Sequence, residues 1–160
     1  MQTPKIVQLE NKTLVGMCQK MSLSHQLTGE LWRRFMPLRK EIENKVSDDF
    51  YSLQEYPADY FHQFDVHREF VKWALIEVNG TVNVPQNMEI YHLDGGEYAV
   101  FAYKGLSTDT SIFQYIYNKW IPNSEYELDD RPHFEVLGPK YKNNDEASEE
   151  EIWIPVKRKV

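Results

Sequence analysis

A chain of 160 residues with 41% hydrophobic and 14% aromatic content can bury one real core, which excludes a disordered polypeptide. A formal net charge of −7 argues against nonspecific nucleic-acid binding, which needs clustered Lys and Arg, and favours cationic ligands through an acidic field. Cys18 is the one cysteine, so no internal disulfide forms and a reducing compartment fits. In chain order, "PKIVQLENKTLVGMCQKMSLS" reads as two strands about a turn at Asn11-Lys12. Ser22, Ser24 and Thr28 are N-cap candidates for a helix whose stripe is Leu27, Leu31, Phe35, Leu38 and Ile42. Pro37 is expected to end or kink that helix near Met36. "DFYSLQEYP" and "EFVKWALIEVNG" follow as strands, the second stopped by Asn79-Gly80.

The second half repeats this order. "MEIYHLDGGEYAVFAYKGLS" reads as two strands joined at Asp94-Gly95-Gly96. Ser107, Thr108 and Asp109 can cap a helix carrying Ile112, Phe113, Ile116, Tyr117 and Trp120, with Pro122 just beyond it. The strands "HFEVLGP" and "EIWIPVK" close the chain, separated by the polar loop "KYKNNDEASEE". "LWRRFMP" and "IYNKWIP" match in the order of apolar, polar and proline residues, so we read one domain over 1–160 built of pseudo-repeats at roughly 1–82 and 86–160.

Motifs for nucleophilic, phosphate-binding and metal chemistry are missing, so no cofactor and no metal is expected. His62, Asp65 and His67 in "FHQFDVH" are metal-ligand types at a spacing that suits an ordinary polar loop better. Trp32, Phe35, Tyr117 and Trp120 lie at helical spacing, which is core spacing as readily as ligand wall. In the last strand, alternation puts Glu151, Trp153 and Pro155 on one face and Ile152, Ile154 and Val156 on the other. If the Glu151 face lines a cleft, carboxylate and indole together suit a lipophilic cation; if not, Glu151 points to water. Glu149 and Glu150 are expected in the solvated loop.

"GGEYAVFAYKG", "YIYNKWIP", "YELDDRPHFEVLGPKY" and "EIWIPVK", in this order and spacing, resemble the gyrase-inhibitor-like effector-binding domain found in AraC-type and multidrug-responsive regulators. "LWRRFMP" and "FYSLQEYP" look like that family's preceding repeat, so the resemblance covers nearly the whole chain. It implies an α+β fold in which duplicated βαββ units form a curved antiparallel sheet with two helices flanking a central cleft. It also implies binding of small lipophilic, often cationic, molecules there. Carried over residue by residue, the cleft glutamate is Glu151, the residue two positions on is Trp153, and the helix-end aromatic is Trp120. Tyr56, Trp73, Tyr91 and Tyr117 follow as further ligand-binding residues, with faces that depend on strand register.

The leading expectation is a cytoplasmic, stand-alone module that binds such cations through Glu151 and the aromatics and touches neither membrane nor nucleic acid directly. The alternative is a hydrolase of electrophilic small molecules, with Glu151 as general base and Tyr98 or Tyr56 orienting the substrate. A third expectation is a gyrase or regulator partnership through the acidic loop.

Overall fold

The computed structural model of the chain describes residues 2–80 and 83–160. Its first half contains β1 (Lys5–Leu9), β2 (Lys12–Ser22), α1 (Thr28–Phe35), β3 (Phe50–Glu55) and β4 (Glu69–Val78). The second contains β5 (Glu89–Leu93), β6 (Gly96–Lys104), α2 (Ser111–Tyr115), a short β7 (Tyr126–Leu128), β8 (His133–Leu137) and β9 (Glu149–Arg158). All pairings are antiparallel, in the order β1-β6-β9-β8-β3-β4-β2-β5, with β7 added beside β9. Exchanging β1, β2, β3 and β4 with β5, β6, β8 and β9 reverses this order onto itself. At its centre Ser52 on β3 pairs with Glu135 on β8. The expected end of the first repeat, at residue 82, lies outside the described residues.

The helix signals meet two departures. α1 has no side-chain cap at Leu27, and Thr28 opens the helix; Pro37 falls in a 3₁₀ stretch, Met36–Glu41, that continues it. A proline is tolerated in the first turn of a helical segment because its missing N–H has no intrahelical duty there. In the second half Asp109 accepts from the Ser111 backbone N–H at 2.9 Å, and α2 then widens into a π-helical stretch, Ile116–Trp120. A final turn, Ile121–Asn123, includes Pro122 instead of stopping before it.

The sheet's two faces are packed differently. On one face, Val15, Met17, Ala74 and Ile76 receive Leu31 and Phe35 of α1, while Ala99, Phe101, Ile152 and Ile154 receive Ile116 and Ile121 from the second helical segment. On the other, Leu14, Leu53, Trp73, Leu75, Tyr98 and Phe134 pack on one another without a helix. The Tyr98 and Phe134 rings meet at 5.2 Å although β9 runs between their strands, so the sheet curves toward this second face. Its outer hairpins touch there: Asn11 Oδ1 accepts from Gly95 N–H at 2.7 Å, and a Cβ at Gly95 would stand 2.1 Å from the Leu9 carbonyl oxygen.

Gly16 is the sharper test of this packing. A Cβ there would fall 1.8 Å from the Ala74 backbone oxygen, a contact only backbone movement could relieve. Gly16→Ala is therefore expected to lower the denaturation midpoint, with a loss on the order of 3 kcal/mol measured in urea.

Candidate functional site

The site arises because the two central strands alternate polar and apolar residues. On β3, Tyr51 and Leu53 join the aromatic face; on β8, Phe134 and Val136 do the same. Period-2 geometry then turns Ser52, Gln54, His133 and Glu135 toward the helix-bearing face, in the gap between the α1 and α2 clusters. Lys72 on β4 and Glu150 on β9 share that face. With the Gln54 amide turned to suit its neighbours, its nitrogen donates to the His133 carbonyl oxygen at 3.2 Å and its oxygen accepts from Lys72 Nζ at 3.3 Å.

Charge in this cleft is poorly solvated. Burial raises the Glu135 carboxyl above the usual carboxylate range, opposed by the Lys72 ammonium and by hydrogen bonds from Gln54 and Ser52. Burial, then the Glu135 charge, pushes Glu150 up to about 7, with Lys72 again opposing. His133 is 5% exposed and is driven down to about 3 by burial and by the Arg131 charge, so it is neutral near pH 7. Burial also raises the hydroxyls of Tyr56, Tyr117 and Tyr141, each of which feels the Glu135 charge as well.

One end of the cleft is aromatic and closed. Tyr117 from the π-helical stretch shares a 3.0 Å hydrogen bond between its hydroxyl and His133 Nδ1, and Tyr56 sets its edge on the same imidazole at 5.0 Å. Phe61, from the loop after β3, stacks on Tyr117 at 5.0 Å and on His133 at 5.2 Å. The other end is open: a cavity of about 470 Å³ is lined by Asp48, Asp49, Phe50, Leu137, Gly138, Pro139 and Tyr141. The β8–β9 register ends at Val136 opposite Glu151, and Leu137 and Glu150 are the next residues on their strands, so the cavity adjoins the carboxylates. Trp32 closes this end's α1 side by an edge contact with Phe50 at 5.9 Å.

The residues singled out from the sequence fall into three places. Tyr56 and Tyr117 lie at the aromatic end of the cleft, and Trp32 borders its mouth. Phe35, fully buried, and Trp120, stacked on Tyr126 at 6.2 Å, pack helix against sheet. Trp73, Tyr91, Trp153, Tyr98 and Glu151 belong to the face without helices. There Trp73 Nε1 donates to Glu55 at 2.7 Å, with Tyr91 edge-on to Trp73 at 5.0 Å. Tyr98 is fully buried with its hydroxyl donating to the Pro132 carbonyl oxygen at 2.8 Å, so it does not reach the cleft.

Two expectations are corrected by this arrangement. Glu151 is exposed and accepts the Trp153 indole N–H at 3.2 Å, so it is not a buried carboxylate. Glu149 and Glu150 are strand residues of β9, and one step along the pleat carries Glu150 to the helix-bearing face. Glu135 was missed altogether, although polar residues alternating with Phe134 and Val136 in a central strand are a signal for a lined cleft. Among the described residues no group of three His, Cys, Asp or Glu is arranged to hold a metal, and no helix is long and apolar enough to cross a membrane.

A curved antiparallel sheet with a helix over each half and a polar, aromatic-ended cleft between them defines a small-molecule binding module. The sequence model of the GyrI-like small molecule binding domain matches residues 2–157, and the chain belongs to that family. Transcriptional regulator BrlR of Pseudomonas aeruginosa is 27% identical over 156 residues, which is 95% of this chain and 54% of that protein. The chain thus spans about half the length of that relative. Among solved structures, SAV2435 bound to tetraphenylphosphonium superposes with a TM-score of 0.70 at 17% identity, over 98% of this chain and 94% of that one. The EcmrR C-terminal domain gives 0.70 at 13% identity over 97% of each chain. A hydrolase from Listeria innocua gives 0.60 at 10% identity, over 97% of this chain and 92% of that one.

Proposed function

We propose that the chain binds lipophilic cations in the cleft between α1 and α2, with Glu135 as the counter-charge and Glu150 beside it. The observation that carries this reading is a half-buried carboxylate pair, short of water, flanked by Tyr56, Tyr117 and Tyr141. Such a pair is costly when empty and is relieved by a cation whose apolar body fills the space between the helices. Aromatic faces add attraction through their quadrupoles. That a structural neighbour is described bound to tetraphenylphosphonium supports the same ligand class. Family membership and the regulators among its relatives support a cytoplasmic role as a sensing or sequestering module.

The test is direct titration with tetraphenylphosphonium and with neutral triphenylphosphine oxide, followed by tryptophan fluorescence. The expected result is saturable one-to-one binding of the cation, tighter than the neutral compound by a factor on the order of ten or more. Equal affinities would remove charge recognition from the account. Glu151→Gln serves as the control and is expected to change the cation's affinity by less than about twofold, because an exposed charge is screened.

A second reading, hydrolysis of an electrophile in the same cleft, draws support from Glu150, whose value of about 7 suits a general base. Turnover of an electrophile panel that is lost in Glu150→Gln is the result expected on that reading; no turnover by the native protein would exclude it, and turnover surviving the substitution would remove Glu150 as the base.

A further inference from the structure

The contacts of Phe61 differ from those of its neighbours in the loop. Tyr60, 2% exposed, is anchored in a cluster with Met21 and Phe70, its hydroxyl buried with no hydrogen-bond partner among the described residues. Phe61 packs edge-on against Tyr60 at 5.1 Å and Tyr56 at 5.0 Å, and its face lies across two cleft rings at once. It is inclined by 29° to Tyr117 and by 22° to His133, which are themselves 6.2 Å apart and joined by a hydrogen bond. Tyr117 and His133, inclined by 42° to each other, thus form an angled aromatic platform, and Phe61 is what occupies it. The platform is two residues along β8 from Glu135, about 7 Å at strand rise and on the same face. A ring carried by a cation paired with Glu135 reaches it.

The segment that holds Phe61 there is superficial. Residues 62–67 are exposed, with Phe64 at 58% and Val66 at 43%. Three of its ties are Arg68 Nη2 to Asp59 Oδ1 at 2.7 Å, His67 Nδ1 with Ser24 Oγ at 2.9 Å, and Ser24 N–H donating to the Val66 carbonyl oxygen at 2.9 Å. All three sit on the outside of the loop, where water competes for them. Tyr60 also packs on Tyr56 at 4.6 Å and Phe70 at 6.2 Å, so it keeps ring partners when Phe61 is changed.

We infer that Phe61 is a specificity-determining residue: it occupies an aryl subsite formed by Tyr117 and His133, and sets the ligand class as cations bearing several aromatic rings, one of which takes its place. This rests on the cation-binding reading of the cleft. A multi-ring cation gains the platform only by displacing Phe61, with loss of its stacks on Tyr117 and His133 and its edge contacts with Tyr56 and Tyr60. A cation with no ring leaves Phe61 where it is.

The experiment compares native protein, Phe61→Ala, Phe61→Leu and Glu135→Gln for binding of tetraphenylphosphonium and ring-free tetraethylammonium by calorimetry. Thermal melts confirm that each variant folds. Phe61→Ala is expected to bind tetraphenylphosphonium about tenfold tighter, since the displaced stack is gone, and Phe61→Leu to fall between. Tetraethylammonium is expected to stay within about twofold across the Phe61 series. Tetraphenylphosphonium bound equally or more weakly by Phe61→Ala makes Phe61 an ordinary wall and overturns the inference, as does equal tightening of both cations. If Glu135→Gln still loses the cation in that case, the charge reading stands and only the role of Phe61 falls. If native protein saturates with neither cation, both fall.

Discussion

Glu135→Gln is expected to lower tetraphenylphosphonium affinity about thirtyfold, roughly 2 kcal/mol, while leaving triphenylphosphine oxide within about twofold. The size follows from where the carboxylate sits. It lies in the middle of the cleft floor, half-buried, beside Ser52, Gln54 and the Lys72 ammonium. In such surroundings the interaction with an incoming cation is screened far less than at the surface. The glutamine side chain keeps volume and hydrogen-bonding capacity, so the neutral ligand meets the same walls. A loss of both ligands in parallel would mean that Glu135 shapes the cleft and does not pair with charge. Calorimetry on the two ligands separates the outcomes.

Affinity for the same cation is expected to rise with pH by up to about tenfold between pH 6 and 8, with release of a proton on binding in that range. Glu150 titrates at about 7 in the empty protein, against an ordinary value of 4.5. A cation favours its ionised form, so protonated molecules must lose the proton to bind well. His133, held near 3, stays neutral throughout this window and contributes no slope. The same shift acts on folding. Because the folded value of Glu150 lies above the unfolded one, its favourable contribution is complete below pH 4.5 and is lost as pH rises through 7. Allowing for its partial exposure, the loss is on the order of 2 kcal/mol. Glu150→Gln is expected to abolish this loss and to flatten the pH dependence of cation binding. His133 acts with the opposite sign: its folded value lies below 6.5, so stability falls as pH drops from 6.5 toward 3. Melting curves of native protein and Glu150→Gln at pH 5 and pH 8 distinguish the two groups.

Strand and helix identities were legible because local signals agreed with one another. The Asn11 turn, the Gly95-Gly96 junction and Asn79-Gly80 bounded segments whose apolar periods matched the observed elements. The pairing of "LWRRFMP" with "IYNKWIP" pointed to the order that the sheet realises. β7 escaped because three residues beside β9 carry no period of their own. The faces were harder. Alternation grouped Glu151 with Trp153, and the structure puts both on one side; nothing local says that this side lacks helices. The side that α1 and α2 leave uncovered depends on packing between halves of the chain. For the same reason "HFEVL" reads as an ordinary half-buried strand until its polar residues are found between two helices. Tyr117 fell into a helical aromatic stripe together with Trp120, yet the π-helical stretch sends one to the cleft and the other against Phe101 and Tyr126.

The exchange that leaves the strand order unchanged carries Ser52 onto Glu135 and, by the pairings on either side, Lys72 onto Glu150. A trough made of two equivalent arms would accept any guest in two opposed poses of equal energy. Here one arm offers a hydroxyl and an ammonium where the other offers two carboxylates. That removes the degeneracy: a guest with one positive centre has a single preferred heading, set by four side chains on an otherwise repeated frame.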